Sequence, residues 1–280
     1  MKILTMIKTD SSLYLSTILK VKHLILFYCM LLFSLGCVMG QPNNQILFGD
    51  STKEILDNYL RVAGGAEKWK ALQSVIISMT QYPKEENVIK IASVHGGQIY
   101  DRWISILKSG DSSSTCFNGS NYWRQVEGGA PESFDFYTPV YAKYARLGEP
   151  SFLLRADSIR FTGTFDFLAG DKKTLCYKIA VYVDGNRHYH FINTTSYLLE
   201  GYTRGDPGDP VTSLNDYREI SGLSVPFEEV IYRGMNMESK FVKNLIYFNK
   251  IIPIEVYDYP KGSTNIISTS LLFNLIQKEK

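Results

Sequence analysis

From residue 75 to residue 248 the chain is a succession of short runs in which apolar and polar positions alternate, or in which an apolar stretch is bounded by turn residues. A period of two is that of a strand with one buried face. The runs fall at 75–79, 88–94, 99–107, 115–126, 158–169, 174–184, 187–193, 197–203, 212–220, 225–233 and 237–248. Asn118-Gly119 splits one of them and Asp184-Gly185 separates two others. Both dipeptides adopt the positive φ of a tight hairpin turn. Pro83, Gly96-Gly97 and the segment GDPGDP at 205–210 are further punctuation.

Ahead of the strands the period changes. Ile55, Leu56, Tyr59, Leu60 and Ala63 recur at helical spacing and make one apolar face. Ser51 and Glu54 form a capping box that starts this helix, and Gly64-Gly65 ends it. A second short helix is predicted over 66–72, carrying Trp69 and Leu72. After an irregular link at 127–140, the segments 140–147 and 150–156 read as helix or helical turns. The tail at 261–280 holds an apolar stretch, 266–276, suited to a last strand or a docked helix. The predicted class is α+β: one long antiparallel sheet with a few helices. No repeat at solenoid or propeller period is visible, so 41–260 reads as one domain.

The first 40 residues have a different character. Lys2, Lys8, Lys20 and Lys22 precede the uncharged stretch LILFYCMLLFSL at 24–35, and Val38 and Gly40 stand at positions −3 and −1 of a cleavage site before Gln41. Basic, apolar and small-residue regions in that order make a secretory signal. The apolar part is shorter than the roughly 20 residues that span a bilayer. Two mature forms are open: a soluble periplasmic product beginning near Gln41, and an outer-membrane lipoprotein anchored at Cys37, which follows the small residue Gly36.

Removing the signal changes the charge balance. The chain has 30 Lys and Arg against 28 Asp and Glu; residues 41–280 keep 26 basic and 27 acidic, a net of −1. No basic stripe remains, which excludes nucleic acid as the expected partner. Cys116 and Cys176 are the cysteines left. In an oxidising compartment they form one possible disulfide, or they pack as two buried thiols.

Several segments, taken in order, carry a resemblance. They are ILDNYLRVAGGAEKWKAL (55–72), the hairpin CFNGSNYW (116–123), FDFLAGDKKTLCYKIAVYVDGNRHYHFINTTSYLL (165–199), NDYREISGLSVPFEEVIYRG (215–234) and VKNLIYFNKIIPIEVYDYP (242–260). The chain resembles the LolA-like periplasmic outer-membrane lipoprotein carriers, in particular the lipoprotein-sorting proteins of Bacteroidetes. Asn118 and Asn193 depart from that pattern, where Asp is common. The resemblance implies a curved antiparallel sheet forming an incomplete β-barrel, with helices over its concave face. It implies an apolar cavity for the acyl chains of a lipid or lipoprotein, partners among envelope lipoprotein-transport proteins, no cofactor and no enzymatic activity. Related half-barrels also serve as envelope protein-interaction or sensor modules, and a lipid-anchored Cys37 fits a membrane-anchored acceptor.

Candidate lining residues follow from aromatic placement. Trp103 and Trp123, with Tyr100 and Tyr122 beside them, lie on neighbouring predicted strands, and Phe161, Phe165 and Phe167 share one face by the period of two. Each also suits ordinary sheet packing. His188 and His190 share a strand face without identifiable further zinc ligands, and Asp206 and Asp209 lack the oxygen set that calcium needs. Asp216 and Arg218 are expected to form a structural ion pair. No nucleophile elbow, phosphate-binding loop or paired helical histidines are present, so no catalytic residue is assigned.

Overall fold

The structure, a computed structural model, describes residues 50–126, 129–135, 146–205 and 208–259. The expectations for the signal, Cys37, Asp206, most of 140–147 and the 261–280 tail lie outside these residues.

Helix α1 (Asp50–Val62) begins one residue before the capping box and ends at the two glycines, Gly64 at φ +107° and Gly65 at φ +100°. Gly64 has a second reason to lack a side chain: a Cβ there would stand 2.4 Å from the Gly222 carbonyl oxygen. The Ser224 amide donates to Ala63 O, so the helix stop is tied to the sheet. Helix α2 (Ala66–Lys70) follows at once, and α3 (Glu149–Leu153) comes much later. No helix among the described residues is long and apolar enough to cross a membrane.

The strands are β1 (Ser74–Tyr82), β2 (Glu86–His95), β3 (Gln98–Ile106), β4 (Ser112–Phe117), β5 (Tyr122–Val126), β6 (Glu132–Ser133), β7 (Ser158–Ala169), β8 (Lys172–Val183), β9 (Asn186–Asn193), β10 (Leu199–Thr203), β11 (Val211–Ile220), β12 (Leu223–Arg233) and β13 (Asn236–Phe248). They form one antiparallel sheet in the order β6-β5-β4-β3-β2-β1-β13-β12-β11-β10-β9-β8-β7. Two meanders, β1–β6 and β7–β13, are therefore joined through the β1–β13 pair. The sheet is not closed: β6 and β7 are its edges. The chain passes from one edge to the other between residues 134 and 157, and α3 lies in that crossing.

Alternation gives every strand two faces, and each is covered differently. On one face Val75, Ile77, Met79, Ile246 and Phe248 pack with Trp69 of α2. On the same side, further along the sheet, Ile55, Leu56 and Tyr59 of α1 and Phe152 and Leu153 of α3 pack on Ile159, Ile179, Val181, Ile192 and Leu199. The Phe161 amide donates to the buried Thr52 Oγ1, fixing α1 to β7. On the opposite face Ile76, Ile91, Ile104, Cys116 and Trp123 are covered by the chain after β13, with Ile252, Val256 and the fully buried Tyr257. Arg102, also buried there, donates to Ser114 Oγ and Val256 O and lies over the Trp123 ring.

Of the two readings of the cysteines, a disulfide or a pair of buried thiols, the structure has the second. Cys116 and Cys176 are buried free thiols. They sit on β4 and β8, with eight strands between them in the sheet. Cys116 packs beside Trp123 and Tyr257, and Cys176 beside Phe167 and Phe191. Each behaves as a small apolar residue.

Candidate functional site

A cavity of about 700 Å³ opens between the sheet and the helices. That volume is within the range of small-molecule binding sites. Tyr59, Ala63 and Trp69 line it from the helical side, and Ile77, Met79, Trp103 and Ile246 from the strands. Trp69 is held in place by its indole N–H, which donates to Ala63 O at 2.8 Å, and by Phe248 against its edge. Gly148 allows the crossing segment to pass the indole, since a Cβ there would come within 2.7 Å of the ring.

Only part of the lining is apolar. Among the described residues it includes five basic side chains, Lys90, Arg124, Arg146, Arg204 and Lys243, and three acidic ones, Asp101, Glu149 and Glu229. Arg146 and Glu149 are 17% and 14% exposed and paired at 2.9 Å; the same carboxylate oxygen, Glu149 Oε2, meets His190 Nε2 at 3.2 Å. The Arg146 guanidinium lies over Phe152 and Tyr202. Lys243, almost fully buried, pairs with Glu229 at 2.6 Å and donates to Pro226 O. Trp103 donates from its indole N–H to Asp101 Oδ2 at 3.1 Å.

Burial and neighbours set the protonation of this wall. Burial pushes the Glu149 carboxyl upward, but Arg146 and His190 overrule it and hold the group at about 2 instead of 4.5. Burial raises Asp101, against the opposing pull of Lys90 and the Trp103 hydrogen bond. Tyr59, Tyr202 and Tyr217 are raised by burial, so they line the cavity as neutral phenols. His188 is pulled from 6.5 to about 4, first by burial and then by His190, Arg146 and Arg204.

Two of these groups predict the acid response. His188 has a depressed folded value, so the unfolded chain takes up its proton first, and stability falls as pH drops from 6.5 towards 4. Glu149 contributes stability that is present above 4.5 and lost as pH falls towards 2. Each shift corresponds to about 3 kcal/mol. Asp101, raised when folded, works in the opposite sense at the low end. Urea midpoints measured against pH should decline in both windows, and His188→Asn should flatten the upper one only. An unchanged upper window in that variant would remove His188 from the account.

The sequence-derived lining residues separate. Trp103 lines the cavity. Trp123 does not: it is fully buried on the opposite face, where its indole N–H points to Tyr257 O. The register explains this, because Trp103, Thr115 and Arg124 form one cross-strand row over β3, β4 and β5, and Arg102, Cys116 and Trp123 form the next. Phe161, Phe165 and Phe167 are absent from the lining as well. A bulge between Phe161 and Gly163 breaks the period of two, which puts Phe161 against Tyr177 on the helix-covered face. Phe165 and Phe167 point the other way, towards Phe191, and Phe165 is 53% exposed. Tyr122 is in the lining and Tyr100 is not.

The other candidates also find places. His188 and His190 are buried, and no group of three or more His, Cys, Asp or Glu among the described residues is placed to hold a metal. Asp216 and Arg218 form the expected ion pair on an exposed stretch of β11. The charged wall was missed. Its signal was a phase clash: Lys90 lies between Val88 and Ala92, and Asp101 between Ile99 and Trp103, at positions whose neighbours on the same face are apolar.

The geometry defines an open antiparallel sheet with an amphipathic cavity under short helices. No family model matches the chain, and no curated protein matches it. Among solved structures it is similar to a DUF1329 family protein from Desulfovibrio piger, with a TM-score of 0.50 at 10% identity over 75% of this chain and 98% of that one. It is also similar to a LolA superfamily protein from Nitrosomonas europaea (TM-score 0.44, 8% identity, 74% and 97% covered) and to the lipoprotein LppX of Mycobacterium tuberculosis (TM-score 0.30, 9% identity, 74% and 100% covered). The first shows a shared fold and nothing further; the scores of the other two are too low to define one.

Proposed function

We propose that the protein binds the acyl chains of lipids or lipoproteins in this cavity and carries them, working outside the cytoplasm as an outer-membrane lipoprotein-sorting carrier. The observation that carries the reading is the cavity itself, roofed by Trp69 and Tyr59 and floored by Ile77, Met79, Trp103 and Ile246. Ten buried methylenes are worth about 8 kcal/mol before the costs of association. The basic and apolar order of residues 1–40 supports export, and the sequence resemblance to lipoprotein carriers supports the cargo class.

The chain has three tryptophans, and they give the test. Trp69 and Trp103 line the cavity and Trp123 lies on the other face of the sheet. A brominated stearate, which quenches indole fluorescence on contact, should quench the protein. Trp69→Phe and Trp103→Phe should each remove part of that quenching, and Trp123→Phe none. Quenching that depends on Trp123 would move the ligand to the opposite face.

A further inference from the structure

Half of the eight charges in the described cavity wall pair with one another. Arg146 is paired with Glu149 and Lys243 with Glu229. Lys90 and Asp101 are not. The Lys90 ammonium donates to Arg146 O at 3.2 Å and lies 5.2 Å from the Trp103 ring centre, and it forms no ion pair with a carboxylate among the described residues. That leaves donors on a three-donor group unspent. Asp101 is 4% exposed; Trp103 occupies its Oδ2, while its Oδ1 is buried without a hydrogen-bond partner. An unmatched buried carboxylate oxygen is costly and rare in native structures.

The two groups share one site. Lys90 stands opposite Trp103, and Asp101 opposite Ala92, on adjacent strands. They are diagonal neighbours on the same face, and both line the cavity. A purely apolar guest would leave both unsatisfied in a dry pocket, which opposes its entry. The described lining carries two more basic than acidic side chains, a balance that favours a negative guest there.

Building on the acyl-binding reading, we infer that the cavity also encloses the polar head of its ligand, and that this head combines an anionic group with a hydrogen-bond donor. The anion meets Lys90, and an N–H or O–H of the ligand donates to Asp101 Oδ1. Acyl chains joined through an amide or a hydroxyl-bearing linker to a carboxylate or phosphate have this chemistry. A free fatty acid at neutral pH has the anion without the donor, and an acyl ester of a simple alcohol has neither.

Four probes of equal chain length separate the contributions: N-palmitoylglycine, palmitate, N-palmitoylethanolamine and methyl palmitate, each competing with a fluorescent fatty acid on the full chain. N-palmitoylglycine is expected to bind at least tenfold tighter than methyl palmitate. In Lys90→Met its advantage over N-palmitoylethanolamine should vanish, and Lys90→Arg should restore it. In Asp101→Ala palmitate should bind more tightly, since a buried negative neighbour is gone, and the advantage of N-palmitoylglycine over palmitate should fall to about one. Urea midpoints of the variants establish that they are folded. If all four probes bind within twofold of each other, the head lies outside the cavity and the inference is overturned while acyl binding stands. If none competes, acyl binding itself fails and the inference falls with it.

Discussion

Replacing Arg146 by Met is expected to lower the stability of the protein by about 3–5 kcal/mol, the cost of leaving a buried partner charge unmatched. Arg146 is the counter-ion of Glu149, and both lie in the segment that crosses from one sheet edge to the other. Without the guanidinium, Glu149 keeps His190 Nε2 but loses the main influence that holds its carboxyl low. The stacking on Phe152 and Tyr202 goes as well. Adding Glu149→Gln removes the stranded charge, so the double variant should recover a large part of the loss. Urea unfolding at neutral pH measures all four corners of the cycle. A loss below about 1 kcal/mol for Arg146→Met would mean that the pair behaves as a solvated surface bridge.

Trp103→Glu is expected to abolish acyl binding, with Phe165→Glu leaving it unchanged. Trp103 lines the cavity, lies under the Lys90 ammonium and is half-buried, so the site can accept a polar side chain without unfolding. The new carboxylate would stand two residues from Asp101 on the same strand face, where a second negative charge repels an anionic guest and wets the wall. Phe165 has the same chemistry but points to the other side of the sheet past the bulge, more than half exposed. Trp103→Phe, which keeps a ring and loses the N–H, should retain binding. Equal effects of the two glutamates would place the ligand somewhere other than this cavity.

The contrast between those two aromatics shows what was readable from the chain. Strand positions follow from alternation and turn chemistry, and the structure places strands at every run that the pattern marked, including β4 and β5 on either side of Asn118-Gly119. Which face a residue takes is a different matter. Trp103 and Trp123 share an environment by composition, yet the register through β4 puts them on opposite faces. The bulge at Gly163 reverses the facing of Phe165 relative to Phe161, and nothing in FTGTFDF announces it beyond the glycine itself. The Arg146–Glu149–His190 cluster joins a connecting segment to a strand some 40 residues later, and local pattern carries no record of such a meeting. Lys90 and Asp101 were legible in part, as charges standing in an apolar phase.

The central claim is that an acyl chain occupies the cavity of the protein as it is made. Native mass spectrometry with lipid extraction, on protein exported by the cell and purified without detergent, tests it most directly. The account predicts a stoichiometric adduct that releases an acylated molecule on extraction, present in the unaltered chain and missing from Trp103→Glu. Unaltered protein that comes out empty, and stays empty after incubation with acyl lipid, would contradict it.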